Sequence, residues 1–418
     1  MQSFLDLPKT SHYNAIYMTD LEEIARQYEL NLLKKFKDKQ LIKVVTGIRR
    51  CGKSTLLDQF KKFLMAEGVA ENQIVHINFE DFENRFLLNL ENFFEFIKSK
   101  IIPEKKMYLF FDEIQQVQDF QKVVDSFYIK ENIDIYITGS NSRLLSGELA
   151  TLLSGRYIEI KLQPFSFSEF LKATGEKYLS AAYKNYIETS SFPYTVRLKD
   201  EESVHTYLEG IYNSILVKDI ISRKNISDVK ILQSITEFVF DNIGLEVSSK
   251  KIADTLTSSG RKMDSRTVES YLSALSESFI VYKASRYNIK GKEHLKLLEK
   301  YYVCDIGLRR ILLGKKSMDA GHILENIVYL ELLRRGYKVY IGKIDDVEVD
   351  FVAMNQDGNL YVQVSATVRD EATLERELKP LKLIKDNYPK LLLTLDEDPE
   401  QDFNGILKMN ALEWLVEN

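Results

Sequence analysis

The spacing of apolar positions changes several times along this chain, and each change marks an element. Leu21, Ile24, Tyr28 and Leu32 recur at near-helical spacing, so a first helix is expected there with Thr19 or Asp20 as its cap. The short apolar run LIKVVTG (41–47) then predicts a strand. Three further runs read the same way: IVHINFEDF (74–82), MYLFFDEIQQV (107–117) and IDIYITGSNSRLL (133–145). Strands of this kind alternating with helices build a parallel sheet, whose ligands gather at the carboxyl ends of the strands. Each of these runs ends in polar or charged residues, and that is where a site is expected.

The pattern differs beyond residue 170. From Phe170 to about Tyr212 aromatic residues are frequent within helical patterns, which core packing explains. DVKILQSITEFVFDNIG (228–244) reads as an amphipathic helix, and EVSSKKIADTLTSSG (246–260) follows with Ser248 or Ser249 as a cap. DSRTVESYLSALSESFIVYKASRY (264–287) gives a further helix that runs into strand residues. Helix, turn, helix and a strand pair predict a winged-helix-like region. Downstream, TVRDEATLERELKPLKLIKDNYPKLLLTLDED (367–398) predicts a charged helix and then a strand, with Pro389 and Lys390 at the turn.

Length supports a division, since 418 residues exceed one ordinary core. The expected domains are 1–170, 171–295 and 296–418, with soft boundaries because no low-complexity linker separates them. A net charge of -5 argues against a surface coated in nucleic acid, but residues 250–300 hold 11 Lys and Arg against 6 Asp and Glu. That local excess, with Lys250, Lys251, Arg261, Lys262 and Arg266 near the turn, fits a weak, salt-dependent DNA contact. Glu269 and Glu277 on the would-be recognition helix argue against base reading, and such a module can equally serve as a lid or a subunit contact. Two distant cysteines, Cys51 and Cys304, predict no disulfide framework and a reducing compartment. No run approaches a membrane span and none reads as a leader, so a cytoplasmic protein is expected. The five scattered histidines give no zinc spacing.

Candidate chemistry concentrates in VVTGIRRCGKSTLL (44–57), where Gly47, Gly52, Lys53 and Ser54 stand at the spacing G-x-x-x-x-G-K-S. Such a loop turns backbone N–H groups, together with a helix N-terminus, toward phosphate oxygens. Lys53 is expected to reach the β- and γ-phosphates of ATP, Ser54 to ligate magnesium, and Arg49, Arg50 and Thr55 to complete the nucleotide contacts. Asp112 is expected to hold the magnesium shell and Glu113 to orient or deprotonate the attacking water. Asn141, at the end of the next strand, is a candidate γ-phosphate sensor. Arg156, just before a later strand, is either a surface ion pair or a charge-stabilising residue acting in cis or from a neighbouring subunit. Cys51 lies beside a helix N-terminus, where a thiol pKa can fall, although a plain filler role explains it more simply.

The loop G-x-R-R-x-G-K-S, the DEIQ after its strand, TGSNSRLL and SGRYIEIKLQPFSFSEF together resemble prokaryotic AAA-domain ATPases with a C-terminal domain of unknown function. KYYVCDIGLRRIL (300–312), GHILENIVYLELLRRGY (321–337), VEVDFV (347–352) and LYVQVSA (360–366) resemble segments of that second part, so the resemblance spans about residues 20–395. It implies ATP binding and an AAA-like architecture, and with Arg156 it suggests a homo-oligomer. It leaves the protein partner unnamed.

The last third carries an incomplete nuclease pattern. A metal-dependent PD-(D/E)-x-K site needs a helix acid, a strand acid and a following strand with acid and lysine. Glu325 and Asp350 fill the first two places, but the third reads Gln363, Val364, Ser365. Glutamine ligates magnesium weakly, and serine cannot replace an ammonium. The expected fold is therefore α/β throughout: a P-loop NTPase sheet, a winged-helix-like region, and a restriction-endonuclease-like domain with its cleavage lost. The leading reading is a magnesium-dependent ATPase that couples nucleotide state to these modules. The alternatives are an ATP-regulated nuclease and a slow-turnover nucleotide-switched scaffold.

Overall fold

The computed structural model describes residues 24–417 except 143–152, 154, 223–225, 227, 259, 261–262 and 315–318. The caps considered at Thr19 and Asp20, the segment after Ser142, and Arg261 and Lys262 therefore lie outside the described residues.

Five strands form an all-parallel sheet: β1 (Ile42–Thr46), β2 (Ile74–Asn78), β3 (Met107–Asp112), β4 (Ile133–Gly139) and β5 (Tyr157–Lys161). Their spatial order is β2-β3-β4-β1-β5. This is the sheet of a P-loop NTPase, with β4 inserted between the strand that carries the glycine loop and the strand that ends in Asp112. Helices α1 (Gln27–Phe36), α2 (Lys53–Ala66), α3 (Leu90–Lys100) and α4 (Phe120–Tyr128) accompany it. β1, β3 and β4 are buried at every position, which explains why they read as continuous apolar runs and not as alternating ones. The first helix departs from expectation. It begins at Gln27 and buries Glu29, Leu30 and Leu33, while Tyr28 faces out, because Leu30 and Leu33 are the side chains that meet the core beneath α2.

Next come α5 (Phe167–Thr174), α6 (Leu179–Glu188) and α7 (Glu201–Ser214), and α7 continues into a π-helical turn over Ile215–Ile221. Then follow α8 (Val229–Asp241), β6 (Glu246–Val247), α9 (Ser249–Ser258), α10 (Ser265–Glu277), β7 (Val281–Asn288) and β8 (Glu293–Val303). Ser248 caps α9, its hydroxyl accepting from the Lys251 amide at 3.1 Å. β8 pairs antiparallel with both β6 and β7.

The remainder comprises α11 (Ile306–Leu313), α12 (Ala320–Arg334), β9 (Lys338–Ile344), β10 (Val347–Asn355), β11 (Gly358–Ser365), α13 (Glu371–Leu383), β12 (Lys390–Thr394), β13 (Gln401–Asp402), β14 (Ile406–Asn410) and α14 (Ala411–Val416). β7 runs parallel to β9, so these strands and the β6–β8 group form one nine-stranded mixed sheet, ordered β13-β14-β12-β11-β10-β9-β7-β8-β6. The boundary expected near residue 295 falls inside β8, and the one near 170 falls inside α5. Residues 323–332 of α12 are buried on every side, as suits a helix walled in by sheet and helices. One hydrophobic cluster runs without a break from Leu30 and Phe60 through Leu232 and Val268 to Trp414. The ATPase sheet is thus joined to the rest through packed core.

Candidate functional site

β1 delivers the glycine loop, and two of its residues must be glycine. A Cβ on Gly47 would meet the Leu162 carbonyl oxygen at 2.0 Å. Gly52 has φ +104°, a conformation side chains resist, just where α2 begins. Ser54 and Thr55 stand exposed at the start of α2, whereas Lys53 is buried. Lys53 Nζ donates to the Gly47 and Ile48 carbonyls at 3.1 and 3.3 Å and pairs with Glu113 Oε1 at 3.3 Å. Burial works to lower its pKa, but the Glu113 carboxylate outweighs that and holds the ammonium above the ordinary lysine value.

β3 and β4 bring the acids alongside. Ser54 Oγ donates to Asp112 Oδ2 at 2.5 Å, and the Thr138 hydroxyl donates to the other carboxylate oxygen. Thr138 Oγ1 also accepts from the Glu113 amide at 2.9 Å, where Glu113 takes the left-handed conformation at φ 52°. Burial raises the Glu113 pKa, but Lys53, the Gln115 amide and Arg49 more than offset this and carry it below the usual glutamate value. The exposed hydroxyl of Ser54 beside the Asp112 carboxylate forms an all-oxygen donor pair, the chemistry that suits magnesium.

Arg49 shows what the local motif alone does not. Its Nε and Nη2 reach Asp219 at 3.1 and 3.3 Å, and its Nη1 reaches Glu80 at 2.6 Å. The two carboxylates outweigh burial and raise its pKa. Asp219 lies in the π-helical turn after α7, an irregularity often found at functional positions. Its Oδ1 also accepts from Ser140 Oγ at 3.3 Å, and Asn141 is buried next to Ser140. One buried aspartate therefore grips the glycine loop and the end of β4 together. No sequence signal marked Asp219, which sits 170 residues from Arg49.

Arg156 is not brought to this cluster. Its carbonyl accepts from the Ile42 amide, placing it at the start of β1 and so at the amino ends of the parallel strands, opposite the glycine loop. Its guanidinium pairs with Asp125 of α4 at 2.5 Å. Arg50 is exposed, with φ 68°. Cys51 is fully buried, and burial pushes its thiol pKa up, so the lowered value considered from its place near a helix N-terminus does not arise.

Glu325, Asp350 and Gln363 also meet, on α12, β10 and β11. Asp350 Oδ2 accepts from the Val364 amide at 2.8 Å, and Gln363 Oε1 accepts from the Asp350 amide at 3.3 Å. Gln363 Nε2 donates to Glu377 Oε2 at 2.9 Å. Ser365 stays outside, donating to the Thr367 carbonyl at 3.1 Å. Burial, then the Glu325 charge, raises the Asp350 pKa well above the ordinary aspartate value, although Lys300 opposes this. Lys300, not singled out from the sequence, enters the cluster from β8, where it shares a face with Tyr302 at alternate positions.

The family model described as an AAA domain matches residues 39–171, and a model described as a domain of unknown function (DUF8612) matches 180–319. An uncharacterized protein of Haemophilus influenzae is 42% identical over 399 residues, covering 94% of this chain and 99% of that one. The chain belongs to this family of AAA-type P-loop ATPases with a following domain of unknown function. Within the wider family, an uncharacterized protein of Methanocaldococcus jannaschii, MJ1544, is 33% identical over 82% of this chain and 79% of its own. The solved Walker-type ATPase PABY2304 of Pyrococcus abyssi is 16% identical, covers 69% of this chain and 95% of its own, and has a TM-score of 0.47. Among the described residues, no helix is long and apolar enough to cross a membrane.

Proposed function

We propose that this chain binds ATP with magnesium, hydrolyses it, and transmits the nucleotide state to a winged-helix-like module and a non-cleaving nuclease-like module. The Asp219 clasp on Arg49 and Ser140 carries this reading, because it joins the phosphate loop to the helices beyond the ATPase sheet. An arriving phosphate competes with Asp219 and Glu80 for the Arg49 guanidinium, and a loosened Asp219 frees the turn that follows α7.

Ser54 and Asp112 are the residues that would hold magnesium, which supplies charge neutralisation at the phosphates when bound. Lys53 exchanges its carbonyl and carboxylate contacts for phosphate oxygens. That exchange removes the neighbour which depresses Glu113, so Glu113 becomes a better base as the substrate seats. Glu113 then orients the attacking water and accepts its proton at a carboxylate oxygen. Arg156 faces outward on the opposite edge, so a role for it requires a second subunit, and a homo-oligomer remains part of this reading.

The order α8, β6, α9, α10, β7, β8 supports the winged-helix reading. Exposed Lys250, Lys251, Arg266 and Lys292 favour a weak backbone contact with DNA, but Lys283, Arg286, Lys290 and Lys300 are engaged in ion pairs. Sequence readout is therefore not part of the proposal. Two buried thiols, Cys51 and Cys304, agree with a cytoplasmic setting.

Amide exchange across residues 201–221, with and without a non-hydrolysable ATP analogue, tests the coupling. Changed protection is expected, and an identical pattern at saturating analogue defeats it. ATP turnover with single-stranded and duplex DNA at two salt concentrations tests the partner, with stimulation expected to fade at the higher salt.

A further inference from the structure

The acid cluster on α12, β10 and β11 already contains a cation. Lys300 Nζ lies 3.2 Å from Glu325 Oε1 and 2.6 Å from Glu348 Oε1, and the Asp350 carboxylate acts on it electrostatically as well. Lys300, Glu325, Asp350 and Gln363 are each more than nine-tenths buried. A lysine that serves cleavage stands beside the metal and faces water or a phosphate. Here the ammonium bridges the helix acid Glu325 to Glu348, two positions before the strand acid Asp350 on β10, and the Asp350 charge also acts on it.

Three of the ligand oxygens already hold hydrogen bonds. Glu325 Oε1 accepts from Tyr302 Oη at 2.6 Å in addition to Lys300, and Asp350 Oδ2 is taken by the Val364 amide. The Gln363 amide oxygen, a weak ligand at best, accepts from the Asp350 backbone. The second oxygen of Glu325 is walled by the backbone turn after α8, where a Cβ on Gly244 would come within 3.2 Å of it. The turn between α8 and β6 thus closes over the cluster.

We infer that the Lys300 ammonium is the resident cation of this cluster, standing where a divalent ion stands in a cleaving site and keeping the module closed and metal-free. The inference rests on the nuclease-like reading of this module. It explains a pattern that has lost the lysine on β11 yet kept its acids: the acids balance and position Lys300 and so tie β8 to α12 and β10. The class of ligand that could replace Lys300 is a hard divalent cation, which takes carboxylate oxygens.

Calcium chloride is the probe, added to the full-length, nucleotide-free chain while its thermal midpoint and far-UV circular dichroism are followed. Wild type is expected to show no response. Lys300→Ala leaves the carboxylates unbalanced, so its midpoint should fall without calcium and recover with it by roughly 5 °C at calcium far above the dissociation constant. Should Lys300→Ala fail to fold in buffer alone, recovery of its helical signal on adding calcium reports the same binding. The response should vanish in Lys300→Ala with Asp350→Asn, and Glu348→Gln, which keeps the ammonium, should stay silent. A calcium response in wild type or in Glu348→Gln that Asp350→Asn removes overturns the inference, as does a Lys300→Ala chain indifferent to calcium. Magnesium-dependent DNA cleavage by wild type, lost in Asp350→Asn, would instead defeat the non-cleaving reading beneath it.

Discussion

Lys53 and Lys300 are both buried lysines set among carboxylates, yet their surroundings differ in what can be exchanged. Lys53 rests on two loop carbonyls and one glutamate beside the exposed Ser54 and Thr55. Phosphate oxygens can take over each of those contacts. Lys300 rests on Glu325, whose Oε1 also accepts from Tyr302 and which lies under the turn at Gly244, and on the partly exposed Glu348. The ammonium itself is buried, unlike the open hydroxyls beside Lys53. A buried lysine with acids is thus a poised site or a closed one according to its second neighbours.

The largest effects should appear on the poised side. Lys53→Ala removes the buried ammonium at the end of the glycine loop, and ATP turnover should fall by at least about 1,000-fold, with nucleotide affinity lost too. Glu113→Gln should lower turnover by about 100-fold or more while nucleotide binding is retained, since the amide cannot take the proton. Stopped-time phosphate release and fluorescent-nucleotide titration separate the two outcomes. Equal turnover in Glu113→Gln and wild type would remove the base from the scheme.

This half of the comparison was legible in the sequence because its chemistry is local. Gly47 to Ser54 is one contiguous loop, and Asp112 and Glu113 end a continuous apolar run. The remaining contacts join distant residues. Asp219 meets Arg49 only because the chain returns after α7, and no period or motif announces a π-helical turn. Lys300 was within reach, since Lys300, Tyr302 and the acid Glu325 fall in segments already suspect, and alternation on β8 puts the first two on one face. For Arg156 the sequence leaves a surface ion pair and a role in cis or in trans open, and only the fold, which sets it just before a parallel strand, puts it at the end away from its own chain's phosphate loop.

Asp219→Ala probes the link between the halves. It leaves the buried Arg49 charge with the partly exposed Glu80 alone and should cost about 3 kcal/mol of stability, read by urea denaturation. Loss of stability without any change in nucleotide-dependent exchange would make the clasp structural only. On the closed side, Tyr302→Phe deletes one hydrogen bond to a buried carboxylate that Lys300 still holds, and about 1.5 kcal/mol is expected. A cost near zero would mean that Lys300 alone suffices to keep Glu325.

The smallest effect is the most discriminating, because acid stability separates the two regions by sign. Glu113 has a lowered pKa in the folded chain, so the unfolded chain binds more protons in the window beneath the ordinary value of 4.5. Its contribution is present above pH 4.5 and disappears as pH falls through the folded value. Asp350 has a raised pKa, so the folded chain binds more protons above the ordinary 3.8, and stability is lost as pH rises through that window. Asp350→Asn keeps an acceptor for the Val364 amide and removes the titration. Relative to wild type it should therefore gain stability as pH rises from 4 to 7. Glu113→Gln should lose stability relative to wild type as pH rises toward 4.5, because it forfeits stabilisation that wild type acquires in that window. Urea midpoints at pH 4 and pH 7 for the three chains decide it. Parallel shifts in both variants would show that the two acid sites share one electrostatic environment, and the contrast between Lys53 and Lys300 would then lie in access to solvent alone.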